Sequence, residues 1–156
     1  MGKRRYTKNE REELKARFLS NFPTAAESQV PKKSFMIEWL ANFAPDMSYA
    51  DAKALCLPRI LHENYLWHAF SFEKADYIAA SDADAALDRG LEGECYVLLN
   101  GINALFTLPD GTGVTKDMLK AFDNIIICKK DFSETYVFTG EEGFGPYYAG
   151  SSNTAE

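Results

Sequence analysis

Histidine is scarce in this chain, with only His62 and His68 among 156 residues. Neither HxH nor HxxxH spacing occurs, so no histidine pair is set out for a metal ion, and no metal site is expected. Cysteine is sparse as well. Cys56, Cys95 and Cys128 lie far apart without a CxxC, which excludes a zinc knuckle and a disulfide framework. Each sits among apolar neighbours, where a free thiol behaves as a small hydrophobe, and that usage points to a reduced, cytoplasmic protein. No apolar run approaches the ~20 residues that cross a bilayer. The basic start Met1–Tyr6 runs into Lys8–Glu13 rather than an apolar segment, which argues against a secretory signal. Gly2 lacks the Ser or Thr at position 6 that myristoylation wants. GxSxG, GxGxxG and the P-loop lysine are all missing, so no nucleotide or other cofactor is implied.

What the chain does have is apolar and aromatic mass. At 46% apolar and 13% aromatic residues, it supports one core in one domain. Its charge is unevenly placed. Residues 1–33 hold nine Lys/Arg against four Glu, or +5, and residues 34–156 hold eight against nineteen Asp/Glu, or -11. This divides the chain into a basic head with a first helix and polar connection (1–33), a single α+β domain (34–148) and a flexible tail (149–156). The acidic body argues against nucleic-acid binding by the core, and a basic head is most simply a solvated helix end.

Helices come first. Residues 8–20 read as a helix capped by Asn9, with Leu14, Ala16, Phe18 and Leu19 on its apolar side. Ser34 caps a second helix over 35–43, where Phe35, Trp39, Leu40 and Phe43 share helical spacing. A third helix spans Tyr49 to Leu57, stopped by Pro58. The aromatic stretch 66–72 alternates like a strand. Ser81 or Asp82 caps a helix through Arg89, ended by Gly90 or Gly93. The back half is strand-rich: Glu94–Leu99, a turn at Asn100-Gly101, a return over 102–108, a short helix over 115–122, a buried strand over 124–128 and an alternating strand over 134–139. Gly140 to Tyr148 reads as a glycine-rich loop with an aromatic end. The expected fold is α+β: N-terminal helices packed on a mainly antiparallel sheet of about four to five strands, covered on one face.

Candidate chemistry is limited. His68, beside Trp67 and other aromatics, is a candidate general base, with Tyr136 or Glu134 brought from a neighbouring strand as companions. A packed or solvent-facing histidine is the plainer reading. Asp82, Asp84 and Asp88 lack the EF-hand glycine and terminal Glu and read as a solvated helix start. Trp67, His68, Phe144, Tyr147 and Tyr148 are the binding candidates. The two tyrosines either form a surface patch at a rigid turn or pack over the open edge of the sheet.

The segments Tyr65-Leu66-Trp67-His68-Ala69-Phe70-Ser71 and Thr135-Tyr136-Val137-Phe138-Thr139-Gly140-Glu141, with Gly145-Pro146-Tyr147-Tyr148 and Glu94-Cys95-Tyr96-Val97, resemble a bacterial family, Domain of Unknown Function 4275. The resemblance spans roughly Phe35 to Tyr148. Gly140 stands where that pattern has a histidine, so any role for that histidine is absent. The family has no assigned activity, and the resemblance implies a compact α+β fold in a bacterial cytoplasm.

The leading expectation is therefore a non-enzymatic protein-binding module whose acidic face docks a protein partner, an antitoxin or immunity role being one concrete form. The alternative is an enzyme with a small-molecule pocket around His68. Nucleic-acid binding through the basic head ranks last, and no membrane partner is expected.

Overall fold

The computed structural model describes residues 7–43, 78–99, 104–120, 122, 124–139 and 146–150. They form helices α1 (Lys8–Asn21), α2 (Lys32–Phe43), α3 (Ala80–Arg89) and α4 (Lys116–Leu119). The strands are β1 (Ala26–Glu27), β2 (Ile78–Ala79), β3 (Cys95–Leu99), β4 (Leu105–Leu108), β5 (Asn124–Lys129), β6 (Glu134–Thr139) and β7 (Tyr147–Gly150). The expected helix at 49–57, the strand at 66–72, the turn at 100–101 and the loop at 140–145 lie outside the described residues.

All strands join one antiparallel sheet in the order β1-β4-β3-β5-β6-β7-β2. The fold is α+β, as the sequence implies. The sheet is larger than four to five strands because two-residue strands close both edges, too short to show in any propensity window. It is also covered on both faces rather than one. On the first face Cys95, Val97, Leu99, Phe106, Leu108, Ile125, Ile127, Tyr136 and Phe138 meet Leu14, Phe18, Ala83, Leu87 and Leu119 from α1, α3 and α4. On the second, Leu98, Leu105, Ile126, Cys128, Val137, Tyr147 and Ala149 meet Phe35, Met36, Trp39, Leu40 and Phe43 of α2. The unbroken apolar run Ile125–Cys128 follows directly. An antiparallel strand reads as continuous rather than alternating when both of its faces are dry.

The head that the charge pattern separates at residue 33 shares this core. Leu14 and Phe18, one helical turn apart, are buried, while Ala16 and Leu19 face solvent. Phe18 stacks on Phe22 at 4.8 Å and meets Phe106 at 4.7 Å between ring centroids. The cap of α1 is Thr7, not Asn9. The Thr7 hydroxyl accepts from the Glu10 N–H at 3.1 Å, and the Glu10 carboxylate accepts from the Thr7 N–H at 2.8 Å. This Thr-x-x-Glu box satisfies two orphan donors at once, which a lone Asn9 would not. Helix α2 starts before Ser34, because the Phe35 N–H already bonds the Pro31 carbonyl at 3.1 Å. At the far end, residues 147–150 form a strand rather than a loop end and tail, since the two tyrosines and Ala149 register against β6.

A buried polar link ties the second layer together. The Trp39 indole Nε1–H donates to Thr135 Oγ1 at 3.0 Å, and that hydroxyl donates to the Ile127 carbonyl at 2.9 Å. Trp39 and Thr135 are both fully buried. A threonine at this strand position therefore gives the indole an acceptor inside an otherwise apolar layer.

Candidate functional site

Alternation along β6 places Glu134, Tyr136 and Phe138 on the first face. Tyr148 of β7 lies opposite Tyr136 in register, so two phenols stand side by side beneath α3. The Tyr136 hydroxyl donates to Asp84 Oδ1 at 3.0 Å, and Lys116 Nζ donates to Asp84 Oδ2 at 2.8 Å. Next to it, the Tyr148 hydroxyl donates to Glu134 Oε1 at 2.6 Å, and Lys129 Nζ stands 3.7 Å from Glu134 Oε2. Two tyrosine–carboxylate–lysine groups thus line the seam between α3, α4 and the β5–β6–β7 end of the sheet.

The electrostatics of this seam favour neutral phenols. Burial, then the Asp84 charge and its hydrogen bond, pushes Tyr136 well above the ordinary tyrosine range. Burial, then the bond to Glu134, pushes Tyr148 up to about 12, with Arg89 pulling the other way. Each carboxylate has both oxygens engaged. The network is suited to pinning α3 and β7 onto β6. Asp84 is the residue that sequence reasoning missed. Asp82 and Asp88 are solvent-exposed, as a helix start would have them, but Asp84 is half-buried beside the Ala83–Ala86–Leu87 stripe. A carboxylate bordering a buried helix stripe is the signal that could have singled it out, although its partners are remote in sequence.

The other sequence candidates fall as follows. Tyr136 and Glu134 share one face of β6 but belong to different groups, Tyr136 bonded to Asp84 and Glu134 to Tyr148. Tyr147 lies in the second core at 4% exposure, and Tyr148 is half-buried. His68, Trp67 and Phe144 lie outside the described residues. Cys95 and Cys128 are free and buried, on opposite faces of the sheet. Burial raises the Cys95 thiol to about 12 and the Cys128 thiol well above its usual value. Among the described residues no group of three His, Cys, Asp or Glu side chains is gathered as for a metal ion, and no helix is long and apolar enough to cross a membrane.

These shifts have a measurable consequence. Tyr148 keeps its proton to about 12 when folded, against about 10 when unfolded, so it contributes stability that is whole below pH 10 and lost as pH rises through 12. Tyr136 and Cys95 act in the same direction. The urea midpoint should therefore fall steadily from pH 10 to pH 12, and a flat profile there would contradict the buried phenols. Iodoacetamide should leave Cys95 and Cys128 unmodified in the native protein and label both on unfolding, as read by peptide mass spectrometry.

The sequence model of the family described as "Domain of unknown function (DUF4275)" matches residues 25–148, most of the chain and ten residues more than the aromatic motifs alone suggest. No curated protein and no solved structure matches.

Proposed function

The chain belongs to the DUF4275 family, and we propose that it is a non-enzymatic, cytoplasmic bacterial module that binds a protein partner carrying a basic surface. The observation that carries this reading is the charge of the body, -11 over residues 34–156. Part of that surplus is visibly outward. Asp82 and Asp88 on α3, Glu92 and Glu94 after it, Asp110 after β4 and Asp117 on α4 are all exposed. Complementary potential steers a basic partner into encounter and sets register, as an antitoxin or immunity protein covering a basic nuclease would require. The inward carboxylates Asp84 and Glu134 are committed to tyrosines and lysines, which fits a scaffold more than a reaction centre.

The test is capture with the tagged full-length protein from its native host, beside a variant carrying Asp88→Lys and Glu92→Lys. Both positions are exposed, so the fold should be kept. One stoichiometric partner with a basic surface, retained at low salt and lost both at high salt and in the variant, is the expected result. Finding no partner at any salt, or one indifferent to the reversal, would sink this reading and turn attention to ligand screening around His68.

A further inference from the structure

Phe132 is the one described non-glycine residue with a left-handed backbone, at φ 59°. For a bulky side chain this is a strained conformation. It lies in the β5–β6 turn, where the Phe132 N–H bonds the Lys129 carbonyl at 2.8 Å. Asp131 Oδ1 accepts from the Ser133 N–H at 3.0 Å and from the Ser133 hydroxyl at 2.6 Å. Hairpins of this kind usually place Gly or Asn at the left-handed position. What Phe gains there is a place in a closed set of three rings. Phe132 lies 5.7 Å from Phe35 at the start of α2 and 5.8 Å from Tyr96 of β3, and Phe35 and Tyr96 are 5.4 Å apart. Lys130 sits 5.7 Å over the Tyr96 ring, and its N–H bonds the Glu94 carbonyl at 3.0 Å. Every ring touches the other two, so removing any one weakens the hold on Phe132.

The geometry points to a conformational latch: the β5–β6 turn is held in a strained state by the ring of Phe132 closing on Phe35, which couples the turn to the N-terminal end of α2. Moving that end of the helix releases the ring, and the relaxing turn lowers the cost of keeping it released. The rest of α2 is anchored separately, through Trp39 and Thr135, so the latch acts on the first turns and not on the whole helix. This goes beyond partner binding by the acidic surface, because it makes the opposite face of the sheet the one that can shift between two arrangements.

The test compares Phe132→Gly, Phe132→Ala, Phe35→Leu and the double variant Phe35→Leu/Phe132→Gly in the full chain. Leucine at position 35 keeps apolar bulk, so that variant should fold. Both Phe132 variants lose the ring but only glycine relieves the strain, so the unfolding constant of Phe132→Ala should exceed that of Phe132→Gly by about fivefold. The loss caused by Phe132→Gly should shrink by about threefold in the Phe35→Leu background. Hydrogen exchange should quicken at the Phe35 and Met36 amides in Phe132→Ala, with Leu40 to Phe43 unchanged. Equal stability of the alanine and glycine variants, an unchanged effect of Phe132→Gly in the two backgrounds, or unaltered exchange at Phe35 and Met36 overturns the latch.

Discussion

Replacing Trp39 with alanine is expected to cost about 3–5 kcal/mol of stability, the range for emptying a fully buried large aromatic site. Trp39 has no exposed surface and packs with Phe43 at 5.4 Å between ring centroids. It also carries the hydrogen bond to Thr135 that crosses from α2 to β6. A domain with a stability of roughly 5–15 kcal/mol would be left marginal. The contribution of the bond separates from that of the ring in Thr135→Val, which keeps shape and removes the acceptor. That change should cost about 1–3 kcal/mol. Urea unfolding of the two variants measures both numbers. A loss below about 1 kcal/mol for Trp39→Ala would mean that α2 contributes little to the folded layer, contrary to its burial.

The second large effect is at Gly111, and its cause is space. A Cβ there would sit 2.6 Å from Cys95 Sγ and 2.6 Å from the Leu91 carbonyl oxygen, with Leu91 Cβ at 3.3 Å. Cys95 and Leu91 are both fully buried, and Leu91 bridges Gly111 across the loop, so neither neighbour has room to yield. Gly111→Ala should therefore destabilise by about 2–3 kcal/mol, at the upper end of ordinary overpacking. Gly113→Ala is the control. Nothing lies within 4 Å of its added Cβ, and it should be close to neutral. Thermal melts of the pair would decide it, and equal melting temperatures would refute the close approach.

Much of the fold is legible because its signals are local. The Phe35–Phe43 stripe declares α2, the β-rich run Glu134–Thr139 declares β6 although Thr135 to Phe138 are all buried rather than alternately exposed, and Gly90, with φ 94°, stops α3 where a glycine would. The local signals also mislead where two compete. Asn9 looks like a cap until Thr7 and Glu10 are read together. Gly145-Pro146 hides a strand that begins one residue later at Tyr147. What the sequence does not carry is pairing over distance. Nothing near Tyr136 announces Asp84, fifty-two positions away, and nothing near Trp39 announces Thr135. The candidate seam was half visible for that reason. Tyr136, Glu134 and Tyr148 could be named individually, but the Tyr148–Glu134 pair follows from the β6–β7 register and the Tyr136–Asp84 pair from the packing of α3 on the sheet.

The two-residue strands at the borders of the sheet bear on how the chain reaches this state. Between them, β3–β4, β5–β6 and β6–β7 pair neighbours in sequence, so these contacts close short loops. By contrast, β1 reaches β4 from residue 26 to residue 107, and β2 reaches β7 from residue 78 to residue 148. Closing long loops costs more chain entropy and returns only two residues of ladder at each border. The centre can assemble from local pieces while both rims wait. A chain whose rims had not yet closed would present unpaired β4 and β7 backbone to any other chain, the arrangement that invites edge-to-edge association. The hazard for this protein therefore lies in the order of assembly and in crowding during refolding, because β1 and β2 each add only two residues of ladder.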